Sequence, residues 1–348
     1  MAPDVLLGGA MLVSLVFYAL LGGADYGGGV LDLLASGPRR AAQRQAIEDA
    51  IGPIWEANHV WLILVIVILF TGFPPAFAAV ATALFVPLVL FLIGVVLRGS
   101  AFTFRAYDSR SDTVQRRWGL VFSIASIVAP FTLGTVVGAL ASGRVRLGPD
   151  LVVVSGHDAW LGPFPLAVGA FTVALFTLLA AVYLAVEAKD AALKEDFRLR
   201  AIGAAAAVGA LALLTFVLSG REAPVVRRGL TALDWSLPLH LTTGGAAATA
   251  FVALFRRRYA LARAAAALEV ALIVAGWAAS QYPYAIVPDL TLAQASAPPV
   301  TQKLLLGALA AGGVLLFPCF YFLFRVFKGE RPFAVVDRSA GGGGGGAG

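Results

Sequence analysis

The chain has 348 residues, 59% of them apolar before glycine is counted and 13% charged. Soluble globular proteins run near 45–50% apolar with glycine included and about 25% charged, so this much apolar surface excludes a water-soluble fold and points to the bilayer. A net charge of +6 would suit nucleic acid, but the basic residues sit in short loops between apolar runs, so no nucleic-acid partner is expected.

Taken in chain order, nine apolar stretches read as spans: 5–24, 57–71, 77–97, 120–140, 161–186, 201–218, 239–255, 264–279 and 304–324. Most approach the roughly 20 residues needed to cross the hydrocarbon. The first lacks a preceding Lys or Arg and is long enough to span, so it reads as a helix that is kept rather than a cleaved signal. The second and eighth are short and are expected to continue through polar residues, which must face protein or water. The expected fold class is therefore all-α, a polytopic transmembrane bundle of about nine spans, arranged as two four-helix bundles plus one peripheral helix. Residues 1–330 form its single membrane domain, and 331–348 are a cytoplasmic tail with a disordered glycine-rich end.

Loop charges give the orientation. Of 26 Lys and Arg, 20 fall on the side of the C terminus and 6 on the other. The positive-inside rule then places the C terminus in the cytoplasm and the N terminus outside. Arg98 is counted in this tally with the third loop.

Few residues can carry chemistry. Cys319 is the single cysteine and lies in an apolar run, which excludes an internal disulfide and thiolate metal sites. With three histidines and one internal methionine, Met11, no haem held wholly by this chain is expected. Asp25 lies in Gly22-Gly23-Ala24-Asp25-Tyr26-Gly27-Gly28-Gly29. Gly23 and Gly27 share a helix face and allow close helix approach, with an acid beside that contact at membrane depth. Asp25 reads either as a functional acid or as a helix end meeting interfacial water. The densest polar cluster is Trp55-Glu56-Ala57-Asn58-His59-Val60-Trp61. Glu56 and His59 share a helical face. A Glu-x-x-His pair is half of a di-iron site, but the partners for one are missing, so no metal is expected. A buried proton relay suits Glu, Asn and His; structural hydrogen bonding is the alternative.

The same string resembles the signature of subunit II of cytochrome bd-type quinol oxidases. Further stretches resemble that family: Asp25-Tyr26-Gly27-Gly28-Gly29 at the end of the first helix, Thr71-Gly72-Phe73-Pro74 after the second, Leu97-Arg98-Gly99 closing the third, and Ala181 to Glu187 ending the fifth. Gln281-Tyr282-Pro283-Tyr284 and Pro288-Asp289 do so after the eighth. The likeness covers roughly residues 1–330. Gly28, Glu56 and His59 depart from the residues that many members carry.

The resemblance implies a complex that takes electrons from quinol and reduces oxygen to water in the aerobic respiratory chain of a bacterial cytoplasmic membrane. Haems b and d would reside in subunit I, with which this chain would form a heterodimer, active only together. Small accessory subunits, lipid and a structural quinone are further possible partners. Asp25, Glu56, Asn58 and His59 would line a hydrated proton intake from the cytoplasm. Gly23, Gly27, Gly29, Trp55, Trp61 and Arg98 would be motif and packing positions. A secondary transporter is the alternative from another class, and a scaffold that conducts nothing is a third.

Overall fold

The computed structural model describes residues 2–51, 58–107 and 112–328. Trp55, Glu56 and the tail 331–348 lie outside the described residues. The chain is an all-α bundle whose only strands, among the described residues, are two short antiparallel pairs. These are Arg146–Leu147 with Val153–Ser155, and Tyr284–Ile286 with Leu290–Thr291, both in loops. Eight helices are long and apolar enough to cross a membrane, and one bent pair raises the number of spans to as many as nine.

The first span runs over Pro3–Leu33 and contains a π-helical segment, Tyr18–Gly22. It does not end at the glycines after Asp25. A run of Gly27, Gly28 and Gly29 costs helix propensity in water, but the close contacts that these glycines permit hold the helix through to Leu33. Asp25 is therefore not at a helix end. It lies eight residues inside it, about 12 Å from Leu33 along the axis.

The bent pair Val60–Gly72 and Pro74–Ala83 turns by 116° at Phe73. Pro74 starts the new helix at a position whose N–H would be unpaired anyway. The backbone N–H of Ala297 donates to the carbonyl of Gly72 at 2.8 Å, so the turn leaves that oxygen satisfied.

The third span corrects the sequence reading. The apolar run 77–97 is continuous in hydropathy but not one helix: the chain breaks at Leu84 (φ −111°, ψ 29°) and the helix is Phe85–Tyr107. Pro87 stands in its first turn, where no intrahelical N–H is required. Arg98 consequently lies inside this helix, 2% exposed, and is not a loop charge. Without it the charge split becomes 19 to 6, and its sign is unchanged.

The remaining spans are Arg117–Ser142, Pro163–Glu187, Ala191–Glu222, Ser236–Phe255, Tyr259–Gln281 and Pro299–Phe322. The fifth, Pro163–Glu187, is the centre of the molecule: 61% of its apolar window is buried, and it packs on the first, fourth, sixth and eighth. The third packs on the fourth, and the seventh on the eighth. Two groups of spans thus meet along a seam of the first and fourth against the fifth and eighth. The ninth is peripheral, with none of its window buried and contacts to the first and second.

An interfacial helix, Arg40–Ile51, buries Gln43 and Ile47 and is pinned to the start of the sixth span. Arg39 Nε and Gln43 Nε2 each donate to Asp196 at 2.8 Å, and Arg200 donates to Gln43 Oε1 at 2.9 Å.

Candidate functional site

The first span reaches the seam through glycine. A Cβ on Gly27 would stand 1.9 Å from the carbonyl oxygen of Phe176 on the fifth span, and one on Gly23 would stand 2.6 Å from the Phe176 ring. Gly29 meets the fourth span instead, where a Cβ would lie 2.2 Å from Ser126 Oγ. Side chains at these positions would hold the helices apart, so the glycines set the depth at which the intervening acid is buried.

That acid is Asp25, 3% exposed. Arg98 Nη2 stands 2.7 Å from its Oδ1, and both side chains are 2% exposed. Arg98 also donates to the backbone oxygen of Asp25 at 3.3 Å and to Ser126 Oγ at 3.2 Å. Its guanidinium lies over two rings, 5.0 Å from Tyr26 and 5.1 Å from Phe122. The cation is thus held on several sides, as a buried charge requires. The carboxylate is held less well. Beyond this contact with Arg98, neither oxygen of Asp25 has a hydrogen-bond partner among the described residues.

The space beside it explains this. A cavity of about 430 Å³ opens between the two groups of spans, lined on its polar side by Asp25, Asn58, Tyr183, Glu187 and Arg263. Glu187 and Arg263 are exposed and form its mouth, whereas Asp25 and Asn58 are buried at its depth. The Oδ1 of Asn58 is also buried without a partner. Polar groups left unpaired on a roomy cavity are the condition under which ordered water is stable.

The other candidates are distributed around this centre. His59 is not on the cavity wall; its ring lies 6.0 Å from Tyr26 and 6.3 Å from Tyr18. Trp61 stacks on Phe17 at 4.4 Å and on Phe320 of the ninth span at 5.5 Å, so it fastens the peripheral helix. Glu56 and Trp55 lie outside the described residues. The three histidines stand on separate elements: His157 is exposed on a loop, and His240 Nδ1 contacts Ser236 O at 2.6 Å. Among the described residues no cluster of three His, Cys, Asp or Glu could hold a metal.

Sequence reasoning brought Asp25 forward but did not join it to Arg98, 73 positions away. Tyr183 and Arg263 went unnoticed because each lies near a loop and draws attention only once the spans are packed. Asp32, fully buried and accepting from Ser123 Oγ at 3.1 Å, was signalled by its place one helical repeat after Asp25. Glu269 was signalled as a lone acid within an apolar run.

Comparison with known proteins gives consistent results. The family profile described as cytochrome bd terminal oxidase subunit II matches residues 4–327. Cytochrome bd ubiquinol oxidase subunit 2 of Bacillus subtilis (strain 168) is 30% identical over 38% of this chain and 39% of its own length. Cytochrome bd-I ubiquinol oxidase subunit 2 of Escherichia coli (strain K12) is 28% identical over 60% of this chain and 54% of its own. The match thus spans about half or less of the length of these two relatives. A putative cytochrome bd menaquinol oxidase subunit II of Bacillus subtilis (strain 168) is 21% identical over 95% of this chain and 98% of its own length. A chain from the structure of bd oxidase from Geobacillus thermodenitrificans superposes with a TM-score of 0.79 at 22% identity, over 95% of this chain and all of that one.

Proposed function

The chain belongs to the cytochrome bd terminal oxidase subunit II family, and from that premise we propose that it serves as the haem-free subunit of a quinol:oxygen oxidoreductase and admits protons to it. The haems b and d sit on subunit I, against which this chain packs, and catalysis needs both. The haems supply the electron transfer and oxygen chemistry. This chain's own residues bind the partner, admit water and hold protons.

The observation that carries the proton reading is the state of Asp25. An acid this deeply buried, paired with one cation and otherwise without hydrogen-bond partners, faces a polar cavity with an exposed mouth. A carboxyl at membrane depth costs roughly 2.5–3.5 kcal/mol on insertion scales, and oxygen reduction consumes protons. In this reading, water entering past Glu187 and Arg263 reaches Asn58 and Asp25. The carboxyl of Asp25 accepts a proton at an oxygen and passes it on, while Arg98 keeps the deprotonated form tolerable. Glu56, from the same polar string of the sequence, is proposed to extend the relay, and His59 stands beside Tyr26. The mouth faces the cytoplasm if the loop charges orient the chain as the positive-inside rule requires.

The test uses the assembled oxidase in liposomes. Asp25→Asn and Glu56→Gln each preserve shape and remove the proton-exchanging acid. Quinol-driven oxygen consumption and charge movement should both fall, with haem content retained. Wild-type turnover and charge movement in both variants would leave these acids as structural contacts only. The transporter alternative is separated by purification in mild detergent. An oxidase subunit brings with it a second membrane chain carrying reduced-minus-oxidised haem bands.

A further inference from the structure

The cavity wall carries a hydroxyl to which the relay above gives no role. The lining residues recur at i, i+3, i+4 and i+7 on the first, fifth and eighth spans, beginning at Leu21, Ala180 and Ala260. Each of these spans thus turns one helical face to the cavity over about two turns, roughly 10 Å. On the fifth span that face contains Tyr183 and, four residues on, Glu187. Glu187 stands at the mouth, so Tyr183 lies one turn, about 6 Å, inward from it. Asp25 belongs to the corresponding face of the first span and Arg263 to that of the eighth.

Tyr183 is half-buried, with its side chain packed against the core around the fifth span. Among the described residues no hydrogen bond reaches its hydroxyl, yet the oxygen is not sealed from solvent. A phenol in an apolar wall loses its hydration without return unless water meets it there, and phenylalanine would pack the same core without that cost. Arg263 lies near enough for its charge to act on the phenol. Apart from Tyr183, Asp25, Asn58, Glu187 and Arg263, the described lining residues are alanine, leucine and glycine. Water passing inward from the mouth therefore meets a single side-chain hydroxyl on this wall, and it is that of Tyr183.

We propose that the hydroxyl of Tyr183 is the link that passes protons from water at the mouth to the buried Asp25. The proposal rests on the reading of the cavity as a proton intake and assigns a carrier within it. The step moves one proton and no electrons. An O–H bond of protonated water at the mouth breaks as one forms on the phenol oxygen. The phenol's own O–H bond breaks as one forms on water beside Asn58, and that water protonates a carboxyl oxygen of Asp25. The phenol is left neutral, and rotation of its hydroxyl resets it for the next proton.

The experiment is turnover of the assembled oxidase in H2O and in D2O, with haem reduction by quinol followed anaerobically alongside. Tyr183→Phe keeps the ring and removes the hydroxyl. It should slow oxygen consumption about tenfold, less than the hundredfold or more that a positioned acid or base contributes, because water bridges part of the gap. The solvent isotope effect should rise, while haem content and anaerobic haem reduction stay as in the wild type. Wild-type turnover in Tyr183→Phe overturns the proposal, and so does slow turnover matched by equally slow haem reduction. Tyr183→His decides where Tyr183→Phe does not assemble, since imidazole titrates near neutral pH. A new inflection in its profile of turnover against pH supports the proposal, and the wild-type profile overturns it. Asp25→Asn run in parallel keeps the two readings apart. Slow Asp25→Asn with wild-type Tyr183→Phe leaves the intake standing and removes Tyr183 from it. Wild-type turnover in Asp25→Asn overturns the intake at Asp25, and with it the link proposed here.

Discussion

Arg98 is the residue on which the buried acid depends, because it is the cation that Asp25 meets at 2.7 Å. Removing one partner of a buried ion pair strands the other, at about 3–5 kcal/mol. Arg98→Gln should therefore destabilise the assembled complex by that order in thermal denaturation. Arg98→Gln combined with Asp25→Asn should recover part of the loss, since no charge is left stranded, yet should not recover turnover. A double variant as unstable as Arg98→Gln alone would show that the arginine acts through packing on Tyr26 and Phe122 and not through charge. Gly27 offers a second test. Gly27→Ala puts a methyl into the carbonyl of Phe176, and overpacking of this kind costs about 1–3 kcal/mol or more. Gly9→Ala, where a Cβ meets nothing within 4 Å, should be neutral or slightly stabilising through helix propensity. Equal effects at the two positions would refute the close-contact account. At this scale the sequence was half legible. An acid among glycines at membrane depth announces itself by its cost, but the identity of its cation is a long-range fact that no local pattern encodes.

At the scale of elements, hydropathy located the helices well and their breaks poorly. It weighs side chains and not backbone dihedrals, so the run from Phe77 to Leu97 read as one span while the chain breaks at Leu84; the turn at Phe73 fell between two apolar runs and was legible. The first helix was read as ending at residue 24, where the structure carries it on to Leu33. Hydropathy falls at Asp25 and the glycines after it, whereas in the fold Gly27 and Gly29 are contact surface within the helix. The ninth span makes its own prediction. It touches the bundle beside Trp61, whose indole stacks with Phe320 and lies 6.3 Å from Phe317. Trp61→Ala should raise hydrogen exchange over 299–328 while leaving the fifth span protected. Uniform deprotection of both would mean that Trp61 supports the whole bundle and not its edge.

For the whole molecule the open question is which way it faces. The charge split of 19 to 6, once Arg98 is set aside, favours an outer N terminus and an inner C terminus. Single cysteines placed at residue 2 and near residue 335, in a background where Cys319 is replaced by Ser, should react with a membrane-impermeant thiol reagent from opposite sides. Equal reactivity from one side would require an even number of crossings. The two groups of spans and the peripheral ninth were legible from span count. The seam where they meet was not, because it depends on which small residues find each other.

That seam sets a limit on motion. At Gly27 the first span touches the backbone of the fifth with no side chain between, and at Gly169 a Cβ would stand 2.7 Å from the carbonyl of Phe131 on the fourth. Packed backbone has no rotamers to yield, so the two groups of spans cannot rock apart and together as the halves of a carrier do. The cavity between them therefore has fixed walls. In the proton-intake reading proposed above, whatever decides when a proton enters is small and fast: the filling and emptying of a few water positions. In that reading the chain is a stator, and its timing comes from the solvent it admits.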